Sequence, residues 1–258
     1  MRFASLGSGS RGNSLIVDAG GTKLLLDCGF SVRSMVGRLA RLAILPEEIS
    51  GILVTHEHSD HIAGIFRFSA RFGIPVYMTH GTHAAASQGQ GVPAGCRLID
   101  GHAAFSVDGV EVTPFPVPHD AREPVQFVFS DGQCRLGVLT DCGTITPHVA
   151  AVLDGCHALV LECNHDPDLL AASTYPAMLK RRIAGDFGHL GNAQAASLLQ
   201  QIDAGLLRHV VAAHLSEENN RPALARAALA QALGCAEEWI GVASQEDGTG
   251  WRDLAREL

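Results

Sequence analysis

Four side chains that can bind a metal ion lie within six consecutive residues of this sequence: His56, His58, Asp60 and His61. The segment follows the apolar stretch 51–54 and precedes a helical pattern that starts at Ile62. Imidazole and carboxylate groups are ligands that borderline divalent ions such as Zn²⁺ prefer. Because the apolar stretch predicts a buried strand, the four side chains would lie at a strand end, where catalytic loops usually lie. A histidine-rich surface turn is the alternative, and this spacing argues against it.

The elements around this segment predict alternating strands and helices. Strands are predicted at 3–6, 15–17, 23–27 and 74–78, and residues 96–139 are rich in strand patterns. Helical spacing of apolar residues predicts a helix after Ser31, a suitable N-cap, and a second helix from Ile62. The alternation indicates a layered α/β fold. Since neither internal repeats nor linkers interrupt it, we expect one domain over residues 1–258.

Prolines and asparagines indicate where some of these elements begin and end. The prolines at 114, 116 and 118 are expected to end strand pairing before His119. Either Asn219 or Asn220 is expected to cap a helix that runs to Leu233.

Some polar segments leave alternatives open. The glycine- and serine-rich loop 7–14 is either a phosphate-binding loop or a flexible connection, and it lacks the pattern of a nucleotide-binding P-loop. The arginines of the helix after Ser31 lie off its apolar stripe, which indicates a solvated face: Arg33, Arg38 and Arg41. Three further histidines are expected to be polar surface or helix-start residues rather than ligands: His80, His83 and His102.

The spacing His-x-His-x-Asp-His at 56–61 resembles the metal-binding motif of the metallo-β-lactamase superfamily. The segment Leu26-Asp27-Cys28-Gly29 also resembles what that superfamily shows before its motif. The resemblance implies a four-layer αββα sandwich, two sheets flanked by helices, with the metals at one edge between them. It also implies three further ligands, each of which follows a predicted strand: His119, Asp141 and His214.

In this resemblance the ligands divide between two divalent ions. His56, His58 and His119 would bind one ion and Asp60, His61 and His214 the other, with the Asp141 carboxylate between them. Three ligands and a shared carboxylate for each ion leave one coordination position open. An open position is typical of catalytic rather than structural metal sites. Because two metals can share one water and lower its pKa, the implied reaction is hydrolysis by a metal-bridging hydroxide. Zn²⁺, Mn²⁺ and Fe²⁺ all suit these ligands.

The resemblance also narrows the substrate. His58 argues against the iron-based oxygen-reducing branch, where a glutamate is common, and Asp141 argues against true β-lactamases, which lack it. Three segments resemble the YycJ (WalJ)-like branch: 8–14, 162–166 and 188–192. Gly191 departs from the serine that is usual there. Because that branch is regarded as DNA exonucleases with a role in mismatch repair, DNA or another phosphodiester is the implied substrate.

A phosphodiesterase must supply a proton to the leaving alkoxide. His189, held by a carboxylate such as Glu162, is the first candidate, because transfer-RNA 3′-processing enzymes of the superfamily use a comparable His–Glu pair. His165 is the second candidate for this role. Asp60 is expected to be both a catalytic residue and a metal ligand. Alternatively, His189 simply caps the following helix.

Basic residues near these segments could contact phosphates. They are the run Lys180-Arg181-Arg182 and the single Arg221. Such a run is more often a solvated helix face, and the formal net charge of −8 argues against a strongly basic nucleic-acid binder but not against a local basic groove.

Composition indicates a globular protein of the cytoplasm. Apolar residues make up 47% of the 258 residues and charged residues 18%. The seven cysteines form no C-x-x-C pair and are expected to be reduced thiols. Neither a signal peptide nor a membrane-spanning stretch is expected.

Three functions follow from these observations. The first is a dinuclear metal-dependent nuclease. The second is a hydrolase of a small cyclic phosphodiester or thioester, which fits the lack of a long insertion between Asp141 and His214. The third is a metal-binding regulatory protein without turnover, against which the intact ligand set argues. The oligomeric state is left open.

Overall fold

Two β-sheets lie face to face in the structure, a computed structural model that describes residues 1–87 and 95–255. The first sheet contains β1 (Arg2–Gly7), β2 (Ser14–Ala19), β3 (Thr22–Leu26), β4 (Ile49–Leu53), β5 (Val76–Thr79), β6 (Cys96–Ile99) and β14 (Arg252–Asp253). The second contains β7 (Phe105–Val107), β8 (Val110–Pro116), β9 (Val125–Ser130), β10 (Arg135–Leu139), β11 (Ala158–Glu162), β12 (His209–Ala213) and β13 (Gly241–Val242). Their spatial orders are β14-β1-β2-β3-β4-β5-β6 and β13-β12-β11-β10-β9-β8-β7.

Both sheets are mixed. Strands β14 and β1 to β3 pair antiparallel, whereas β3 to β6 pair parallel. In the second sheet β7 to β10 pair antiparallel and β10 to β13 parallel. Parallel strands end at the same edge of a sheet. The segments after β3 and β4 therefore lie at one edge of the first sheet, and those after β10, β11 and β12 at one edge of the second.

Helices cover the outer faces of the sheets. The α-helices are α1 (Val32–Arg41), α2 (Ser59–Ile62), α3 (Ile65–Phe72), α4 (His80–Ala86), α5 (Pro147–Leu153), α6 (Pro167–Ala172), α7 (Ala177–Ile183), α8 (Asn192–Gln201) and α9 (Pro222–Leu233). Short 3-10 helices occupy Pro46–Glu48, Ala204–Leu206 and Glu237–Trp239. Within residues 1–87 and 95–255, none of the helices has both the length and the apolar character needed to span a bilayer.

Side chains of successive strand residues enter different apolar layers. Leu24 and Leu26 of β3 pack between the two sheets, whereas Leu25 packs on the outer side with residues of α1 and α3. In β11, Val160 faces the layer between the sheets and Leu159 faces the outer layer with α5, α8 and α9. This period of two is the strand geometry expected when both faces of a sheet are buried. The predicted four-layer αββα sandwich is therefore confirmed.

Strand ends carry the residues singled out in the sequence. The motif at 56–61 follows β4, and His119 follows β8, which runs in the same direction as β10. Asp141, Glu162 and His214 lie at or just after the ends of β10, β11 and β12. The fold thus brings segments separated by more than 150 residues to one end of the space between the sheets.

The helix predicted from Ile62 is interrupted. Helix α2 ends at Ile62 and α3 begins at Ile65, with Ala63 and Gly64 between them. The Gly64 N–H donates to Cys28 O over 2.8 Å, and a Cβ at this position would overlap the carbonyl oxygen of Phe30. Close contact with the segment after β3 thus requires glycine and separates the two helices.

Two expected element boundaries were wrong in part. Pairing of β8 with β9 does end before His119, at Pro116↔Val125, but Pro114 and Pro116 lie inside the paired strand instead of ending it. Beyond Val112 no β7 residue opposes β8, so proline, which lacks an N–H group, is tolerated there. The residue preceding α9 is Arg221 and not Asn219 or Asn220, and no side chain caps that helix.

The solvated face predicted for the helix arginines was also wrong in part. The guanidinium of Arg38 is largely buried and donates to the backbone carbonyls of Leu6, Gln245 and Glu246 at 2.6, 3.1 and 2.8 Å. It also lies 3.8 Å from the centre of the Phe30 ring. Arg38 therefore joins α1 to β1 and to the segment before β14.

Candidate metal centre

The motif at 56–61 is held in place by the loop before β2 and by the segment that follows β3. The backbone N–H groups of Asn13 and Cys28 donate to the carbonyls of Asp60 and His61 at 2.8 and 2.9 Å. The single turn of α2 returns the chain toward β4, so that the ring centres of His56 and His61 lie 4.3 Å apart. A contiguous motif thus supplies several side chains to one point.

Three imidazoles form the first candidate cluster. The rings of His56, His58 and His119 have centres 4.5 to 5.0 Å apart, and His119 Nε2 lies 3.2 Å from His58 Nδ1. The donor atoms of the three residues all lie within 4.8 Å of one another. This spacing suits three ligands of one ion.

The second candidate cluster is Asp60, His61 and His214. Asp60 Oδ2 lies 3.3 Å from His61 Nε2 and 3.4 Å from His214 Nε2. Asp141 lies between the two clusters: its carboxylate oxygens are 3.2 Å from His61 Nε2, 3.6 Å from His214 Nε2 and 3.9 Å from His119 Nε2. All seven candidate ligands predicted from the sequence are therefore brought together.

The second ring nitrogen of several imidazoles is fixed by a hydrogen bond on the far side. His61 Nδ1 donates to Asp27 Oδ2 over 2.7 Å, and His119 Nδ1 donates to the Gly188 carbonyl over 3.0 Å. His214 Nδ1 lies 3.1 Å from Glu162 Oε1. Hydrogen bonds of this kind orient imidazoles in metal sites and fix their tautomers. The Nε2 atoms of these three rings are consequently left facing Asp141.

Inside the centre, His56 Nε2 has no hydrogen-bond partner in the described part of the chain, and Asp141 Oδ2 makes no hydrogen bond of normal geometry there, although it lies 3.2 Å from His61 Nε2. Both side chains are almost completely buried. A buried polar atom without a partner costs about 1–3 kcal/mol, so the fold tolerates such atoms mainly where a ligand satisfies them. The donor set of imidazole nitrogens and carboxylate oxygens fits divalent cations.

The charges of the centre are strongly coupled. Burial alone would raise the pKa of Asp141, but His214 and His61 hold it well below its ordinary value. Burial would lower the pKa of His61, but Asp141 and Asp27 raise it well above its ordinary value. Burial, together with the neighbouring His61, lowers the pKa of His56 well below its ordinary value, which favours the neutral ring that binds metals.

Three residues of the centre have left-handed backbone conformations. The φ angles of Asp27, Asp141 and His214 are +60°, +51° and +54°. Non-glycine residues adopt this region rarely, although aspartate and histidine do so more often than most. Each lies directly after the last residue of its strand or one residue later, so the chain turns sharply where its side chain enters the centre. Such strain is concentrated at functional sites.

Glu162 and His189 form a pair next to the candidate ligands. His189 Nδ1 donates to Glu162 Oε1 over 2.8 Å, and the same nitrogen lies 3.6 Å from Asp141 Oδ1. Glu162 is fully buried and also accepts from the backbone N–H groups of Cys142 and Leu190 at 2.9 and 3.1 Å. Burial would lower the pKa of His189, but Glu162 raises it.

His165 occupies a different position from His189. It pairs with Gly191 in an isolated bridge, its side chain is buried, and its Nδ1 has no hydrogen bond within the described residues. It joins none of the clusters formed by the described residues. The same holds for the histidines expected not to be ligands: His80, His83 and His102.

Asp27 and Asn13 hold the centre, and sequence reasoning gave neither a role. Asp27 accepts from Thr55 N and Thr55 Oγ1 at 2.9 and 2.8 Å in addition to His61. Asn13 Nδ2 donates to Asp60 Oδ2 over 3.2 Å. The loop 7–14 is therefore tied to the centre by the Asn13 side chain. A carboxylate at the end of a predicted strand, as at Asp141, is the sequence signal that would have identified Asp27.

A cleft of about 390 Å³ leads to the centre. The residues that line it include Asp60, Asp141, His189 and His214 of the centre and Tyr175, Leu179 and Arg182 of the α7 region. This volume lies within the range of small-molecule sites.

Comparison with known proteins identifies relatives that span nearly the whole chain. Residues 22–214 match the family of beta-lactamase superfamily domains. Exodeoxyribonuclease YycJ of Bacillus anthracis is 36% identical over 235 residues, which cover 90% of this chain and 89% of that protein. Exodeoxyribonuclease WalJ of Streptococcus pneumoniae is 30% identical over 245 residues, covering 93% and 91%.

A solved structure shows the same fold at low identity. The metallo-beta-lactamase fold protein YhfI from Bacillus subtilis matches with a TM-score of 0.75 and 13% identity, covering 98% of this chain and 99% of that one.

Proposed function

Because this chain belongs to the metallo-β-lactamase superfamily, we propose that it is a dinuclear metal-dependent phosphodiesterase that acts as a DNA exonuclease. The observation that carries this proposal is the convergence of seven candidate ligands, Asp141 among them, at one end of the space between the sheets. The naming of two near-full-length relatives as exodeoxyribonucleases supports the choice of DNA.

Each of the two candidate clusters would hold one divalent ion. His56, His58 and His119 would hold the first and Asp60, His61 and His214 the second, with Asp141 shared. Zinc and manganese fit these donors, and iron is compatible with them. When bound, such a pair would supply an activated water and stabilise the charge that develops on a phosphoryl group.

The side chains around the centre orient these ligands and include a catalytic group. Asp27 and Glu162 accept hydrogen bonds from the rings of His61 and His214, which aims their Nε2 atoms inward. Asn13 holds the Asp60 carboxylate, which we assign both to the ligands and to the catalytic groups.

We assign the proton donor for the leaving alkoxide to His189. Its ring lies in the wall of the cleft, and Glu162 fixes its Nδ1. With Nδ1 occupied, Nε2 is the atom that can give a proton to the leaving oxygen. His165, the second candidate, does not line the cleft among the described residues.

A hydrolase of small phosphodiesters or thioesters is the second candidate function. The volume of the cleft, about 390 Å³, is sufficient for a small molecule and favours this alternative.

All seven cysteines are free thiols, which supports a location in the reducing cytoplasm.

A substrate panel combined with metal analysis tests the proposal. Protein loaded with Zn²⁺ or Mn²⁺ is incubated with end-labelled single- and double-stranded DNA, a cyclic nucleotide, a thioester and bis(p-nitrophenyl) phosphate. We expect two ions per chain and shortening of DNA one nucleotide at a time from an end. Turnover of only the cyclic nucleotide or the thioester would select the second candidate function, and no turnover of any substrate would refute both.

A further inference from the structure

We propose that Arg182, held by Asp120 at the rim of the cleft, binds a phosphate of the nucleotide next to the bond that is cleaved. The inference rests on the proposed phosphodiesterase function and extends it to a residue outside the candidate metal centre. It also separates one member of the basic run 180–182 from the other two.

The three basic side chains of this run are in different situations. Lys180 Nζ donates to the Ala171 carbonyl over 2.6 Å, away from the residues that line the cleft. Arg181 is exposed and makes neither a hydrogen bond nor an ion pair with the residues that the structure describes. Arg182 lines the cleft together with Tyr175 and Asp141. Only Arg182 of this run is therefore placed to meet a substrate at the centre.

Asp120 connects Arg182 to the candidate ligands. One of its oxygens, Oδ2, accepts from Arg182 Nε over 2.6 Å. The other, Oδ1, lies 3.5 Å from His119 Nε2 and 3.9 Å from His58 Nε2. The Arg182 side chain nevertheless stays 58% exposed. The guanidinium is thus fixed one carboxylate away from the first cluster, with its other edge open to the cleft.

The backbone around Arg182 is anchored to the same loop. Asp120 N donates to the Phe187 carbonyl and His119 Nδ1 to the Gly188 carbonyl, both at 3.0 Å. A Cβ on Gly188 would overlap the carbonyl oxygen of Arg182, so the end of α7 packs directly on this segment. The position of Arg182 is therefore set by the same contacts that orient a candidate ligand.

The open edge of the guanidinium suits a phosphate. Its Nε is the only nitrogen with a partner among the described residues, which leaves the N–H groups of both Nη atoms to donate. Two parallel N–H groups match two phosphate oxygens. In the metal-loaded protein the ions offset the charges of Asp60 and Asp141, but Asp120 beside the first cluster would still repel a second phosphate. Arg182 offsets that repulsion for a substrate that carries more than one phosphate.

The experiment compares a substrate that has neighbouring phosphates with one that does not. Steady-state kinetics of the metal-loaded wild type, Arg182→Gln, Arg182→Lys and Arg181→Gln are measured on a short single-stranded DNA oligonucleotide and on bis(p-nitrophenyl) phosphate. Arg181→Gln is the matched control, because it removes the same charge from the adjacent position outside the cleft lining. Metal content and the unfolding midpoint are recorded for each variant.

We expect Arg182→Gln to lower the ratio of kcat/KM for the oligonucleotide to kcat/KM for the dye substrate about tenfold, mainly through KM, since one charge-assisted contact is lost. The ratio for Arg182→Lys should lie between those of the wild type and Arg182→Gln, because lysine keeps the charge but not the paired donors. The salt dependence of oligonucleotide cleavage should become less steep by about 0.7 in a plot of log kcat/KM against log salt. Arg181→Gln should leave the ratio within about twofold of the wild type.

Three results would overturn the assignment. An unchanged ratio in Arg182→Gln would show that the Asp120 pair is only structural. Equal losses in Arg181→Gln and Arg182→Gln would show a diffuse effect of charge. Equal losses on both substrates in Arg182→Gln would place Arg182 in the chemistry of the cleaved phosphate itself. In each case the wild type still cleaves DNA, whereas a wild type that cleaves neither substrate refutes the proposed function.

Discussion

His61 donates its Nδ1 proton to Asp27 Oδ2 over 2.7 Å, and both side chains are buried. Asp27 also accepts from the backbone N–H and the hydroxyl of Thr55, whose Oγ1 in turn lies 2.9 Å from His56 Nδ1. One carboxylate therefore orients a candidate ligand of each cluster.

Asp27→Asn should weaken metal binding about 10- to 100-fold, because the amide cannot accept all three hydrogen bonds and favours the wrong tautomer of His61. Affinity is measured by competition with a chromophoric chelator. Asp18→Asn is the control, since Asp18 pairs with Arg2 at 2.7 Å and makes no contact with the candidate ligands in the described structure. Equal affinities of Asp27→Asn and wild type would contradict the role given to Asp27.

His189→Ala should keep both metal ions but lower phosphodiester turnover about 10²- to 10⁴-fold, because the leaving alkoxide then lacks its proton donor. Metal content by mass spectrometry and kcat on DNA are the two measurements. His165→Ala serves as the comparison and should lose much less activity. Undiminished turnover in His189→Ala would end the assignment, and a selective loss in His165→Ala would transfer it to His165.

Gly29→Ala should destabilise the metal-free protein by about 1–3 kcal/mol and disturb the motif, because the new methyl group would overlap the Asp60 carbonyl oxygen. Gly37→Ala, on α1, adds a methyl group that would meet no atom within 4 Å beyond its chain neighbours and the backbone of its own helix, and it should instead stabilise the protein by about 0.5–1 kcal/mol. Urea unfolding in the presence of a chelator measures both. Similar midpoints for the two variants would mean that the backbone can relax around position 29.

Arg38→Ala should lower the free energy of unfolding by about 1–3 kcal/mol, since it removes the donor to three backbone carbonyls. Arg33→Ala on the same helix removes an exposed side chain and should change it by no more than about 0.5 kcal/mol. Chemical denaturation at fixed salt distinguishes the two. A small effect in both variants would indicate that water replaces the guanidinium of Arg38.

The parts of the structure that depend on short sequence patterns could be predicted. The strand before His56 is a continuous apolar stretch, and the ligands at 56–61 are close in sequence, so both follow from local rules. The remaining candidate ligands were recognised because each follows an apolar strand in a family pattern. The sandwich was likewise implied by the resemblance, and its strands follow from alternating or continuous apolar residues.

The parts that depend on contacts between distant residues could not be predicted. Asp27 and His61 are 34 residues apart, and Arg38 reaches carbonyls more than 200 residues away. The break between α2 and α3 has a similar origin, because Gly64 is required by its contact with Phe30 and not by the helix pattern itself. Pro114 is tolerated inside β8 because β7 does not extend alongside it. The sequence of β8 alone does not reveal where its neighbour ends.

The left-handed backbone conformations of Asp27, Asp141 and His214 strain the chain where side chains of the candidate centre are placed. At each of them glycine would relieve about 1 kcal/mol of backbone strain and remove a group on which the centre depends. The fold bears this strain at three points where a side chain enters the proposed metal centre, and the proposed role of these side chains accounts for it.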